Sequence, residues 1–144
     1  MKKRTIKFLY SVAAVLFLLL TAALPAEAAQ NWMQVYAHVE QMINKGVEQY
    51  NNGDLEGAKQ IINDSYYGVY ENDGLEKAIR TTISSKNANL TEYQYSELKK
   101  AIRENRGKDA VRGEADKLLS MMKNDIDAQI LFHEVFLFLL YVRH

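Results

Sequence analysis

The sequence predicts an all-α protein, a small up-and-down bundle of four to five helices. Apolar residues recur at spacings of three and four between residues 31 and 127, which is the period of amphipathic helices. Clusters of Gly, Asn and Asp interrupt the pattern, and no alternation typical of a strand occurs in this stretch. Because the interruptions are short, we expect consecutive helices to lie antiparallel.

The first predicted helix begins near residue 31 and ends at Asn51-Asn52-Gly53, where helix-breaking residues cluster. Asp54 follows and is expected to cap the second helix with its side chain. The apolar stripe of the first helix consists of Trp32, Val35, Tyr36, Val39, Met42, Ile43, Val47 and Tyr50. The stripe of the second consists of Leu55, Ala58, Ile61, Ile62, Tyr66, Val69 and Tyr70.

A short third helix is predicted after Asn72-Asp73-Gly74. Asp73 and Glu76 have the spacing of a capping box, so Asp73 is expected to open this helix. It is expected to end near Lys86-Asn87, with Leu75, Ala78, Ile79 and Ile83 facing inward.

Two longer helices are predicted to complete the bundle. Thr91 and Gln94 form a second candidate capping box, which would open the fourth helix, and Gly107 fits its C-terminal glycine. Asp109 is expected to cap the fifth helix. The inward positions of these two helices are Tyr95, Leu98, Ala101, Ile102, Val111, Ala115, Leu118, Leu119, Met122 and Ile126.

Residues 1–28 have the three parts of a secretory signal peptide in order. A basic stretch over residues 2–7 precedes an apolar run from Phe8 to Leu24, and Ala26-Glu27-Ala28 fits a cleavage site before Ala29. Cleavage would remove 4 of the 18 basic and 1 of the 18 acidic residues, leaving a net charge of 14 − 17 = −3. We therefore expect an exported protein. The alternative is an uncleaved membrane anchor.

Residues 129–144 form an apolar tail after a helical domain that we place at residues 29–128. The segment from Ile130 to Val142 reads ILFHEVFLFLLYV, and thirteen helical residues span only about 20 Å, less than a bilayer core. One interpretation is a buried final helix. The other is a transmembrane helix that begins here and is cut short at His144.

Composition and motifs exclude several classes of function. The chain has no Cys, so it contains no disulfide, thiol nucleophile or thiolate metal site. With 18 basic and 18 acidic residues it has no general attraction for nucleic acid, and the basic run from Lys99 to Arg112 is interleaved with acids, as on a solvated helix face. No phosphate loop, nucleophile elbow or zinc helix occurs, and His38 lies on the polar side of the first helix. An enzyme is therefore the least supported class.

The acidic residues are the candidates for chemistry. Hard cations such as ferric iron, calcium and magnesium prefer carboxylate oxygens, and carboxylates at the facing ends of helices can converge on one ion. The candidate ligands are Glu71, Glu76, Glu92 and Glu97. Asp64 and Asp73 are secondary candidates. Structural explanations compete with this one. Asp73 and Glu76 fit a cap, Glu92 fits a first helical turn, and Glu97 can pair with Lys100.

Tyrosines cluster in the middle of the chain at positions 66, 67, 70, 93 and 95. Their simplest interpretation is a bundle core with hydroxyl groups reaching its rim.

The stretch from Asp64 to Ile102 resembles the extracytoplasmic N-terminal domain of bacterial high-affinity ferric iron permeases. The resemblance lies in YYGVYE at residues 66–71, GLEKAIR at 74–80, SSK at 84–86 and EYQYSELKKAI at 92–102. It covers roughly residues 30–128 and implies a signal sequence, a helical domain outside the membrane, and a role in ferric iron uptake beside a membrane permease or other iron-uptake components.

The same resemblance marks what the chain lacks. The family carries the motif Arg-Glu-Gly-Leu-Glu in its membrane helices, and this sequence does not contain it. Arg143 would stand at the arginine of that motif, so the resemblance implies a permease truncated before its membrane unit, a fragment, or the product of a shifted reading frame, in each case incomplete for translocation. The family supplies no ligand assignment in this domain, so the four glutamates rest on oxygen-ligand chemistry alone. The alternative function is an exported helical interaction module without metal, whose tail docks a membrane-protein partner.

Overall fold

The computed structural model describes residues 31–142, and the predicted signal peptide at 1–28 lies outside them. Helices joined by short connections make up this part of the chain, and it contains no strand, which confirms the all-α bundle. The helices are α1 (residues 31–51), α2 (Leu55–Asp64), a π-helical segment (Ser65–Glu71) that continues α2, α3 (Leu75–Thr82), α4 (Ser85–Arg103) and α5 (Lys108–Val142).

Side-chain contacts define an antiparallel order. On α4 and α5, Asn87 bonds Asp125 at one end and Gln94 bonds the backbone oxygen of Glu114 further along, so the two helices run in opposite directions. The α1 helix packs closely on α2 at Gly46, where an added Cβ would lie 2.7 Å from Cδ1 of Ile62. A glycine at this position therefore lets the two helices approach.

The core consists of the stripes that the spacing predicts. The inward positions predicted for α5, from Val111 to Ile126, are all buried, and so are those of α4 from Tyr95 to Ile102. On α1 the valines at 35, 39 and 47 are buried with Ile43 and Tyr50. Their burial supplies the main stabilising free energy of a chain without disulfides.

One connection is as the sequence predicts. Asp54 caps α2, since its Oδ1 accepts a hydrogen bond of 2.8 Å from the backbone N–H of Gly57. The prediction that Gly107 ends α4 is wrong, because α4 ends at Arg103 with Glu104 as its C-cap, and the residue that follows with positive φ is Asn105, at +49°. Gly107, with φ +97°, directly precedes α5. The hydroxyl of Tyr50 holds the connection between α4 and α5, because it donates to Asn105 Oδ1 at 2.7 Å and accepts from the Gly107 N–H at 2.9 Å.

Both predicted capping boxes are wrong. The residue before α3 is Gly74, with φ +83°, and Asp73 makes no capping bond. The fourth helix begins at Ser85, where Ser84 accepts a bond from the Asn87 N–H, so Thr91 lies inside α4 and is buried. As a result α3 ends at Thr82, four residues before the predicted end near Lys86-Asn87.

Two further expectations differ in detail. Asp109 lies inside the first turn of α5, which begins at Lys108, so it is not the residue before the helix, although its charge still suits the helix dipole. The second predicted helix is regular only to Asp64 and continues as a π-helix from Ser65 to Glu71. The i to i+5 bonds of that segment widen the backbone just where four tyrosine rings meet, and hydrophobic spacing alone does not reveal such a change.

Candidate functional site

The first candidate site is a cluster of charges where α3 meets α4. Arg80 reaches Glu76 one turn earlier on α3, with Nε 2.7 Å from Oε1. Its Nη2 lies 2.5 Å from Oε1 of Glu92 on α4, and its Nη1 donates to Asn89 at 2.9 Å. Two of the four predicted ligands are therefore brought together, and a guanidinium lies between them.

The chemistry of this cluster follows from its geometry. The hydrogen bond to Glu76 raises the pKa of Arg80, so the guanidinium stays charged. Glu76 and Glu92 are partly shielded from water, with side chains 19% and 34% exposed. A cation entering between these carboxylates must compete with Arg80 for the same oxygens, so the cluster as it stands is an ion-pair network.

Tyr66 lies beside this network. Burial, followed by the negative charges of Glu92, Glu71 and Glu76, raises the pKa of its hydroxyl to about 12. The negative charges of three predicted ligands, among them Glu71 at the end of the π-helical segment, therefore act on this one hydroxyl. Sequence reasoning missed both Arg80 and Tyr66. The spacing of Glu76 and Arg80 was the available signal, because residues four apart on a helix are neighbours.

The remaining predicted ligands lie apart from this cluster. Glu97 is on the other side of α4, with Oε2 3.9 Å from Nη1 of Arg106. Asp64 accepts a bond of 2.8 Å from Gln60, and Asp73 is exposed beside Asn72. Over residues 31–142, no group of three or more His, Asp or Glu side chains is close enough to hold one metal ion.

The tyrosine cluster is partly core and partly surface. The rings of Tyr66 and Tyr95 lie 5.0 Å apart edge to face, and those of Tyr70 and Tyr95 lie 5.7 Å apart. Tyr70 and Tyr95 are buried, which confirms the core interpretation for them, whereas Tyr67 and Tyr93 are about 60% and 59% exposed.

Two buried hydroxyl groups of this cluster differ in their partners. Tyr95 shares a hydrogen bond of 3.0 Å with Ser65 Oγ, the first residue of the π-helical segment. The Tyr70 hydroxyl lies near Thr91, but neither oxygen has a hydrogen bond of good geometry among the described residues. Burial is the main cause that raises the pKa of both tyrosines.

A groove of about 450 Å³ separates α2 from α4 on another face. Its charged lining consists of Lys59, Lys99, Lys100 and Arg103 with Glu97, and Asn63 and Ser96 complete it. Because cations outnumber the single carboxylate, Glu97 lies in a positive environment.

The apolar tail leaves the bundle. Helix α5 continues without a break across the boundary that we placed after residue 128. The last side chain packed against the core is Ile130, and beyond it Leu131, Phe132, Val135, Phe136, Phe138, Leu139, Leu140, Tyr141 and Val142 are each 47% to 66% exposed. The interpretation as a helix buried in this bundle is therefore wrong for these residues. No helix within residues 31–142 has an apolar stretch long enough to cross a membrane.

Comparisons with family models, with curated proteins and with solved structures found no match to this chain.

Proposed function

We propose that this chain is an exported helical domain of the ferric iron permease type that acts in iron uptake. The apolar end of α5 holds it at the outer face of the cytoplasmic membrane. The observation that carries the proposal is the course of α5. One helix of 35 residues belongs to the bundle core as far as Ile130 and then presents apolar side chains to its surroundings. A bundle built in this way is suited to stand beside a membrane or a membrane protein.

The composition of the tail supports a lipid or membrane-protein environment. From Leu131 onward, large apolar residues occupy every side of the helix, whereas a helix lying on a protein surface exposes a polar face. Contiguous apolar surface of this kind is rare on water-soluble proteins and marks contact with a partner or a membrane.

The iron part of the proposal is supported by the sequence resemblance over residues 64–102 and by one local arrangement. Glu76 and Glu92 meet at Arg80, and carboxylate oxygens are ligands that hard cations such as ferric iron accept. Arg80 competes with a metal for Glu76 and Glu92. If the cluster binds iron, removing this arginine strengthens binding.

Isothermal titration of the full chain in neutral detergent with a soluble ferric complex tests the iron role. We expect binding in the micromolar range or tighter, weakened by Glu76→Gln with Glu92→Gln and strengthened by Arg80→Gln. A control pair, Glu48→Gln with Asp116→Asn, removes the same charge from exposed positions outside the cluster. The iron role is wrong if the wild type shows no binding at micromolar concentrations, or if the control pair weakens binding as much as the cluster pair.

The second candidate function is a helical interaction module without metal. It is favoured by the ion pairs that Arg80 makes with Glu76 and Glu92, because these give both carboxylates a structural role. Under this alternative the double Gln variant still associates with its membrane partner and no ferric binding is measured, so the same titration separates the two functions.

A further inference from the structure

We propose that the groove between α2 and α4, here named the basic groove, binds a small soluble polyanion that carries several carboxylate or phosphate groups. The lining residues are Lys59 and Asn63 on α2 and Ser96, Glu97, Lys99, Lys100 and Arg103 on α4. This proposal goes beyond the proposed function, since it concerns another face of the bundle and needs no iron.

The spacing of the residues explains why the charges converge. Lys59 and Asn63 are four apart on α2, and Ser96, Lys100 and Arg103 are three and four apart on α4. Residues at those spacings share one helix face, and the two helices pack against each other, so both faces line the same groove. The whole chain has equal numbers of basic and acidic residues, so the positive charge here is local.

The lining of the basic groove contains more basic than acidic side chains. Lys100 and Arg103 make no ion pair within residues 31–142, and Glu97, the one carboxylate in the lining, lies 3.9 Å from Arg106. Lys99 is held over aromatic rings, with Nζ 5.6 Å from the centroid of Tyr66 and 5.9 Å from that of Tyr67. Lys59 is paired with Glu56, so an anion in the groove meets Lys100 and Arg103 directly and competes with Glu56 only for Lys59.

The position of the groove favours a soluble ligand over a lipid headgroup. Gln94 of α4 lies level with Glu114 of α5, so the stretch from Ser96 to Arg103 lies level with the beginning of α5. Leu131, where the exposed tail begins, is about 19 residues further along α5, or roughly 30 Å at 1.5 Å per residue. A membrane that covers the tail therefore lies at the opposite end of the bundle from the basic groove.

The ligand chemistry follows from the donors and the space. Guanidinium and ammonium groups form charge-assisted hydrogen bonds with carboxylate and phosphate oxygens, and the amide of Asn63 and the hydroxyl of Ser96 add neutral donors. Cations on two helices across about 450 Å³ fit an anion with several charged groups better than a single ion.

Calorimetric titration of the full chain in neutral detergent with metal-free citrate and with pyrophosphate tests the proposal. We expect binding that weakens as salt rises, because exposed charges are screened. Lys100→Gln with Arg103→Gln should weaken it by about tenfold or more, and Glu97→Gln should strengthen it. The matched control, Lys86→Gln with Lys117→Gln, removes the same charge from exposed positions elsewhere and should change affinity by less than about twofold.

Three results would overturn the proposal. The first is no binding of either anion below about 1 mM. The second is an equal loss of affinity in the control pair, which would mean that only overall charge matters. The third comes from vesicles with and without anionic lipid. If Lys100→Gln with Arg103→Gln lowers binding to anionic vesicles alone and neither soluble anion binds, the groove recognises a membrane surface instead.

Discussion

Substitutions of two leucines test the stability of the bundle and its association with a membrane separately. Leu98 on α4 is fully buried in the core, whereas Leu139 near the end of α5 is 59% exposed. The substitutions Leu98→Ala and Leu139→Ala remove the same atoms and keep a good helix former at both positions. We expect the first to affect only folding and the second only association with lipid.

The magnitudes follow from burial. A fully buried Leu→Ala substitution costs about 2–5 kcal/mol of unfolding free energy, because the transfer free energy is lost and a cavity remains. At about 3 kcal/mol, Leu98→Ala should lower Tm by about 12 °C or more in a bundle of this size. Leu139→Ala should change the unfolding free energy by less than about 0.5 kcal/mol, since its side chain does not contact the core.

The same arithmetic gives the effect on membrane association. Three carbon atoms are removed from Leu139, worth about 2.4 kcal/mol on full burial, and 59% of the side chain is still available to be covered. About 1.4 kcal/mol of transfer free energy is then lost, which corresponds to about tenfold weaker partitioning into lipid vesicles.

Thermal unfolding followed by circular dichroism and vesicle flotation of the full chain measure the two effects. If Leu139→Ala lowers Tm as much as Leu98→Ala, the tail packs on the bundle and the description of α5 is wrong. If Leu139→Ala leaves flotation unchanged while the wild type floats, the tail is not the part of the chain that enters the membrane.

Three further predictions test caps and titrating groups. Asp54→Ala should cost about 1 kcal/mol of unfolding free energy in denaturant melts, whereas Asp73→Ala should cost less than about 0.5 kcal/mol, because only Asp54 caps a helix. The pKa of Tyr66 is about 12 in the folded chain and 10.0 as the ordinary value, so the unfolded chain loses this proton first. Stability should therefore fall between about pH 10 and 12, and Tyr66→Phe should reduce that fall in alkaline melts. Burial raises the pKa of Asp125, which disfavours its charged form. Asp125→Asn should raise Tm at pH 7, with the gain disappearing below pH 3.8, and a lower Tm at pH 7 would contradict the assigned burial.

Spacing in the sequence predicts which side chains are buried because each helix of this bundle has one inward face. The burial of the stripe from Val111 to Ile126 could be predicted without knowing which helices pack against it, because an apolar stripe of that length is expected to be covered by some part of the protein. Asp54 was predictable for a related reason, because a cap depends only on the residues that follow it.

Boundaries that depend on tertiary packing were not predictable in the same way. Thr91 and Gln94 have the spacing of a capping box, but both side chains are buried in the middle of α4, where Gln94 bonds Glu114 across the helix interface. Packing against α5 therefore outweighs the local signal. At Asp73 the next residue, Gly74, adopts positive φ and opens α3 without a side-chain cap.

The arrangement of the predicted ligands depended on contacts distant in sequence. Glu92 meets Arg80 only because α3 and α4 are joined by a tight turn at Ser84, which sets their relative position. The basic groove requires α2 to pack against α4, and no spacing within one helix reveals that pairing.

The position of the tail relative to a membrane is the most direct test of the proposed function. The chain has no Cys, so Leu139→Cys and Asn52→Cys each introduce the only thiol, one on the exposed tail and one at the end of α1. Spin labels at these sites, on the full chain in lipid vesicles, report access to oxygen and to a water-soluble relaxation agent. We predict that the label at 139 is reached by oxygen and shielded from the aqueous agent, and that the label at 52 behaves in the opposite way. Equal aqueous access at both sites would contradict a domain held at the membrane by α5.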